Sequence, residues 1–310
     1  MIITPGFVGI DVSKHHLDVF DSTHGRYERL PNSREALAPL LARWKRAGAF
    51  VLFEATGHYD RALQRSLGEA GIRFARVNPA RAREFARAAG ILAKTDRIDA
   101  RMLAAMAQCL SPKPSPAADD EREALALLHK RRDQLVHIRQ QERTRRTECS
   151  DLALRADIEQ HLQWLDTRIA QKDEQIRDLI ARCERLRRLA GLLRSVPGIG
   201  PVAASTLLAL MPELGALQAK QVAAMAGLAP LNIDSGQFRG ARRITGGRKR
   251  VRDALYMAAV AAARSHARFN TFYRRLRDAG KPAKVALIAV ARKLLITANA
   301  ILRDNVAFQD

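Results

Sequence analysis

The period of the apolar positions changes along the chain. Residues 7–12 (FVGIDV) form a dense apolar run that predicts a buried strand, residues 16–21 (HLDVFD) predict a second, and 26–30 a weaker third. Leu37, Leu40, Leu41 and Trp44 then recur at helical spacing over 34–47, and the apolar run Phe50–Phe53 ends on Glu54. A helix over 59–70, a strand over 72–77 closed by Asn78-Pro79, and helices over 80–89 and 95–110 follow. The order β-β-β-α-β-α-β-α predicts a mixed α/β domain. The three prolines of SPKPSP (111–116) mark its end.

Residues 119–193 are highly charged and almost free of Gly and Pro, which predicts long helices. Ile158, Leu162, Leu165, Ile169, Ile176, Leu179, Cys183 and Leu186 follow a 4,3 heptad spacing interrupted by Lys172, the signature of a coiled coil. Leu125, Leu128, Leu135 and Ile138 suit an antiparallel partner, and the pattern leaves open whether the seam closes within one chain or between chains. Beyond Arg194 a tight turn, Val196–Gly200, leads into an apolar helix, and a short helix covers 220–227. A stretch rich in Gly, Arg and Ser (228–250) precedes helices over 251–267, 270–279 and 283–303. The expected fold is α/β plus α, with an α/β domain over 1–115, coiled-coil helices over 116–193 and a mainly helical domain over 194–310.

Charge changes this picture more than composition does. Lys plus Arg number 53 against 32 Asp plus Glu, a net charge of +21 that argues for a polyanionic partner. Residues 194–310 hold 19 basic and 6 acidic side chains, which makes this third the expected place for phosphate contacts. Cys109, Cys149 and Cys183 are widely spaced and form no CxxC pair, which suits a reducing cytosol. The longest apolar stretch read from the sequence, 254–263, is too short to span a bilayer and the N-terminus lacks a signal-peptide pattern, so a cytoplasmic protein is expected.

Four acidic positions stand out against this basic background. Asp11 lies inside an apolar strand, where an unpaired carboxylate is costly. Glu54 ends another, and Asp96 and Asp99 share one face of a helix. Together they could converge on a hard cation such as Mg²⁺, which favours oxygen ligands and leaves positions for phosphate oxygens. Each also has a plainer explanation: an N-cap with an acidic third residue at Asp96 and Asp99, a strand end at Glu54, an ion pair at Asp11. The strand order, with acids on the first and fourth strands and the last helix, matches by analogy the ribonuclease-H-like nucleases.

Two further features bear on nucleic acid. Gly198 and Gly200 could let a backbone turn hold a phosphate at a helix start, and serve equally well as packing glycines. Between Asp234 and Asp253 lie seven basic side chains, including Arg239, Arg242, Arg243, Arg248, Lys249 and Arg250, and four glycines. Ser235 sits at the mouth of this segment, as either a turn serine or a nucleophile whose target phosphate the arginines would neutralise. His58 and the His15-His16 pair offer no catalytic triad.

These residues resemble a known family. GIDVSKHHLDV (9–19), FEATGHY (53–59), VNPARAREFARAAGILAKTDRIDARMLA (77–104), SVPGIGP (195–201) and GLAPLNIDSGQFRGARRITGGRKRVRDALYM (227–257) are similar to the transposases of the IS-one-ten and IS-eleven-eleven insertion sequences, relatives of the pilin-gene inversion recombinase. The resemblance implies an N-terminal RuvC-like domain of ribonuclease-H type, a coiled-coil middle and a C-terminal transposase domain. It implies that Asp11, Glu54, Asp96 and Asp99 hold Mg²⁺ and that Ser235 is the nucleophile forming a transient phosphoserine bond to DNA. It also implies donor and target DNA as partners, a structured guide RNA, and a dimer or tetramer whose acids and serine come from different subunits. Against that stand a hydrolytic nuclease or junction resolvase with no serine intermediate, and a non-catalytic nucleic-acid scaffold.

Overall fold

A mostly apolar run makes β1 (Phe7–Val12), and a half-apolar one makes β2 (His16–Asp21), joined to the more polar β3 (Arg26–Pro31). Helix α1 (Arg34–Arg46), capped by Ser33, leads to β4 (Phe50–Glu54), and α2 (Arg61–Glu69) to β5 (Arg73–Val77). Helices α3 (Pro79–Ala88) and α4 (Asp96–Leu110) complete the element order expected from the sequence. The strands form one sheet in the order β3-β2-β1-β4-β5, antiparallel at β1–β2 and β2–β3 and parallel at β1–β4 and β4–β5. Alternation along each strand sends Val8, Ile10, Val12, Val51 and Phe53 into a core with Leu37 and Trp44 of α1 and Leu63 and Leu67 of α2. The opposite face packs Leu52, Ala75 and Val77 against Met102, Leu103 and Met106 of α4. This structure, a computed structural model, describes residues 2–310 other than Thr56, His58, Leu92, Lys94, Ala117, Ala118, Asn232, Ile233, Gly236, Gln237 and 240–242, and only the backbone of Leu231, Asp234, Ser235, Phe238, Arg239 and Arg243.

The chain divides into two compact units, Met1–Asp119 and Asp120–Asp310. The second opens with α5 (Asp120–Glu148) and α6 (Leu152–Arg182), which lie antiparallel. Their register is written in three ion pairs: Arg132 with Asp173 at 2.5 Å, Arg139 with Asp166 at 2.6 Å and Arg146 with Glu159 at 2.7 Å. Each step of seven residues forward in α5 meets a step of seven back in α6. Between the pairs, Leu135 packs with Leu165 and Ile169, so the heptad residues of α6 face α5 of the same chain. Cys183, in extended backbone, separates α6 from α7 (Glu184–Arg194), so the heptad stripe that reads as one helix spans two.

Helices α8 (Pro201–Leu210), α9 (Ala219–Met225), α10 (Lys249–Ser265), α11 (Ala267–Asp278) and α12 (Ala283–Asp304) surround one core that includes Val196, Leu207, Val222, Leu255, Phe269 and Leu294. Among the described residues α12 is long and apolar enough to cross a membrane, a feature that the sequence reading did not single out. Its Val290, Ala291, Leu294, Leu295 and Ala298 are buried in that core, which accounts for its composition. Among its described residues, the basic segment after α9, expected to be irregular, contains four two-residue strands: β6 (Pro230–Leu231), β7 (Asp234–Ser235), β8 (Phe238–Arg239) and β9 (Arg243–Ile244).

Candidate active site

The acidic site depends on a missing side chain. Phe7, Gly9 and Asp11 alternate onto the face of β1 that α4 covers. A Cβ built on Gly9 would fall on the carbonyl oxygen of Ala100 and the amide nitrogen of Ala104, and 3.0 Å from Cβ of Leu103. Only glycine lets α4 lie this close to the strand. That contact brings the first turn of α4, with Asp96 and Asp99, beside Asp11. The cap of α4 is Thr95, whose hydroxyl oxygen accepts from the Ile98 amide at 3.3 Å, so neither aspartate serves as N-cap.

The strands supply the other acids. Across the β1–β2 hairpin Asp11 is the register partner of Asp18, on the same face of the sheet. Ile10 pairs with Phe53 in the parallel neighbour, so Asp11 and Glu54 each stand one residue beyond the same pair, and both are half-buried. The Asp11 carboxyl is pushed up to about 6, first by burial and then by the negative charges of Asp99, Asp96 and Asp18; the Val12 amide opposes them. Asp18, buried to 2% exposure, accepts from Arg29 Nε at 2.9 Å, from Arg29 Nη2 at 3.0 Å and from the Tyr27 hydroxyl. The same Arg29 Nη2 donates to Asp96. Asp18 also raises the Tyr27 phenol above its ordinary range, through that hydrogen bond first.

An all-carboxylate set fits a hard divalent cation, and the repulsion felt by Asp11 is what such an ion relieves. Among the described residues no three His, Cys, Asp or Glu side chains are gathered as a ready cage. Asp96 is already engaged by Arg29, so holding a metal requires a small rearrangement of side chains on a fixed backbone.

In the second unit the described backbone places Ser235 opposite Phe238 and Asp234 opposite Arg239. Outside this pair, Pro230 faces Ile244 and Leu231 faces Arg243. Arg242 lies outside the described residues, as does His58. At the end of the segment Arg248 makes two bonds to Glu213, at 2.6 and 2.7 Å, and donates to the Leu210 carbonyl at 2.8 Å. Burial pushes the Glu213 carboxyl up, and Arg248 outweighs it by hydrogen bond and charge, leaving it below the usual range. Arg250 binds Asp133 of α5 at 2.6 Å, and the exposed Lys249 pairs with Asp253 at 2.7 Å. Gly198, at φ +85°, leaves no room for a Cβ against the Ala258 carbonyl and Ala262, whereas Gly200 faces open space at the start of α8.

Sequence reasoning passed over Asp18, Tyr27 and Arg29. Their signal was present: Asp18 interrupts an apolar strand, and a hairpin register places it opposite Asp11 and Arg29. Charge alternation alone does not reveal that register.

A family model described as a DEDD transposase of the IS110 type matches residues 8–151, and one described as the transposase IS116/IS110/IS902 family matches residues 190–274. The pilin gene-inverting protein of Moraxella lacunata is 32% identical over 97% of this chain and 97% of its own length. Its counterpart from Moraxella bovis is 31% identical over the same shares. An uncharacterized 44.8 kDa protein of insertion element IS116 from Streptomyces clavuligerus is 32% identical over 49% of this chain and 38% of its own.

Proposed function

The chain belongs to the IS116/IS110/IS902 family of transposases, and from that premise we propose that it exchanges DNA strands through a metal-assisted serine intermediate. The observation that carries the proposal is the convergence of charge on Asp11 from the neighbouring strand β2 and the start of α4. Asp11, Glu54, Asp96 and Asp99 would hold Mg²⁺, which supplies Lewis-acid polarisation of the scissile phosphate. Ser235 Oγ would attack phosphorus, forming an Oγ–P ester as the bond to one DNA oxygen breaks. The serine proton passes, in net, to that departing oxygen. Attack by another DNA hydroxyl on the ester then restores the serine, so no high-energy cofactor is consumed.

Arg239, Arg242 and Arg243 are the proposed phosphate contacts, with the exposed Lys249 beside them. Arg248 and Arg250, held by Glu213 and Asp133, brace the base of the segment rather than reach for DNA. Gly198 serves packing, and Gly200 is the glycine with room for a backbone phosphate contact. The first unit takes a RuvC-like role, α5 and α6 a coiled-coil role, and the rest of the second unit the serine chemistry. The acids of one subunit and the serine of another would act together in a dimer or tetramer in the cytoplasm, with a structured RNA guiding the choice of donor and target.

The test is a covalent adduct. Incubated with Mg²⁺, element-end DNA and RNA transcribed from the flanking segment, the protein should form a protein–DNA ester that Ser235→Ala abolishes. Cut products with free ends, no adduct and normal activity in Ser235→Ala would instead establish a hydrolytic nuclease.

A further inference from the structure

Arg29 is an unusual neighbour for a metal site. It comes from β3, the edge strand of the sheet, and half of its side chain is open to water. An exposed arginine that touched only the exposed Asp96 would be an ordinary surface pair of little consequence. Arg29 is different because its fork is anchored. Nε and Nη2 bind both oxygens of Asp18, one of the most buried carboxylates in the unit, and the Tyr27 hydroxyl completes that carboxylate's bonding. Asp18 is thereby satisfied and fixed. From that anchor Nη2 reaches across to Asp96 at the start of α4.

Arg97 lies over the Tyr27 ring at 5.3 Å and Arg101 over the Phe20 ring at 5.5 Å, so both α4 arginines rest on aromatic faces of β2 and β3. Asp11 sits among Asp18, Asp96 and Asp99, and Arg29 is bonded to two of those three. Arg29 thus offsets part of the negative charge gathered there.

We infer that Arg29 is a resident counter-ion which clamps Asp96 to Asp18 while the acidic site is metal-free and gives up Asp96 when a divalent cation binds. Arg29 is thus a positioning residue, holding the first turn of α4 near its working place while competing with the metal for one ligand. The inference rests on the reading of the four acids as metal ligands. The anchor on Asp18 survives in both states, so the hand-over needs only a turn of the Asp96 side chain, and the backbone contact at Gly9 is unchanged.

Two measurements on the full chain test it, both independent of recombination. In EDTA, thermal unfolding of wild type, Arg29→Gln, Asp96→Asn and the double variant should show a coupled pair, the double variant losing clearly less than the sum of the single losses. Calorimetric titration with Mn²⁺ should give Arg29→Gln an affinity about tenfold tighter than wild type, since a competing charge has gone. Arg29→Lys, which keeps the charge without the fork, should fold readily and fall between the two. Equal Mn²⁺ affinity in wild type and both Arg29 variants, or additive losses in EDTA, would overturn the inference and leave the metal reading standing. A wild type that takes up no Mn²⁺ would overturn the metal reading and the hand-over with it.

Discussion

The acidic site and the serine segment are built by opposite means. Asp11, Glu54, Asp96 and Asp99 stand on two paired strands and a helix pressed onto one of them at Gly9, and the repulsion of Asp11 by Asp99, Asp96 and Asp18 is absorbed by that frame. Ser235 stands on a two-residue strand within a run containing four glycines, and the end of its segment is tied down by Arg248–Glu213 and Arg250–Asp133. One region gets its geometry from packing and leaves its charges in conflict. In the other, charges serve as ties at the end of the segment. On the proposed reading a metal would relieve the first, and a phosphate backbone would suit arginines of the second.

The largest expected effect removes the conflict itself. Asp11→Asn should lower strand exchange by roughly a thousandfold or more, the scale on which loss of one member of a catalytic unit is felt. In metal-free protein it should stabilise the fold. A carboxyl raised to about 6 in the native state costs stability as pH climbs from the unfolded value through 6, and asparagine has no such cost. With the part exposure of Asp11 allowed for, the gain above pH 6 is on the order of 1–2 kcal/mol. Denaturant titrations in EDTA at pH 4 and pH 7 read it. A variant less stable than wild type at pH 7 would mean that the acids are not in conflict.

Next in size is the frame. Gly9→Ala should destabilise by about 3 kcal/mol or more, since its Cβ meets backbone that cannot step aside, and should remove metal uptake with it. Gly200→Ala, facing open space at φ −80°, should stay within about 1 kcal/mol of wild type. Equal losses at the two glycines would dissolve the contrast between a packed site and an open one.

That contrast also explains what the sequence made legible. The first unit was readable almost element by element, because buried strands and amphipathic helices leave strong periods, and the four acids stood out by breaking them at Asp11, Glu54, Asp96 and Asp99. Arg29 was not readable, because its role comes from a cross-strand register with Asp18 that no local pattern encodes. In the second unit, β6 to β9 are two residues each and carry no alternation to detect. The same limit hid the commitments of Arg248 and Arg250: a basic run reads as phosphate contacts until Glu213 and Asp133, distant in sequence, are seen against it. Charge counts expose a surplus; only the fold shows which cations are already used.

Cutting one of those ties comes third. Arg248→Met should cost about 1–2 kcal/mol at neutral pH, a value below that of a fully buried pair because a third of the arginine side chain is in water. The Glu213 carboxyl is held below its ordinary range, so the stability it contributes is present above the unfolded value and lost as pH falls through the folded one. Wild type and variant should therefore converge toward pH 3, and Glu213→Gln on top of Arg248→Met should recover part of the loss. A gap that persists at pH 3 would assign the effect to the Leu210 carbonyl contact instead.

The finest distinction lies in how each unit answers to pH. In the second unit His129 of α5 is 1% exposed, and neither ring nitrogen has a hydrogen-bond partner. Burial lowers it to about 4, helped by Arg250 and Arg132 and opposed by Asp133 and Asp173. A histidine lowered in the native state favours folding above its unfolded value near 6.5 and loses that advantage as pH falls toward 4. The first unit runs the other way, since metal-free Asp11 weakens the fold as pH rises through the same window. The full chain in EDTA should therefore show two opposed slopes between pH 4 and 6.5. His129→Leu should remove the acid-side loss, about 2–3 kcal/mol at most, and leave the rising-pH loss intact. Asp11→Asn should do the reverse. If His129→Leu kept the acid-side slope, that histidine would be titrating in water-like surroundings, and the second unit would owe its acid sensitivity to carboxylates such as Glu213.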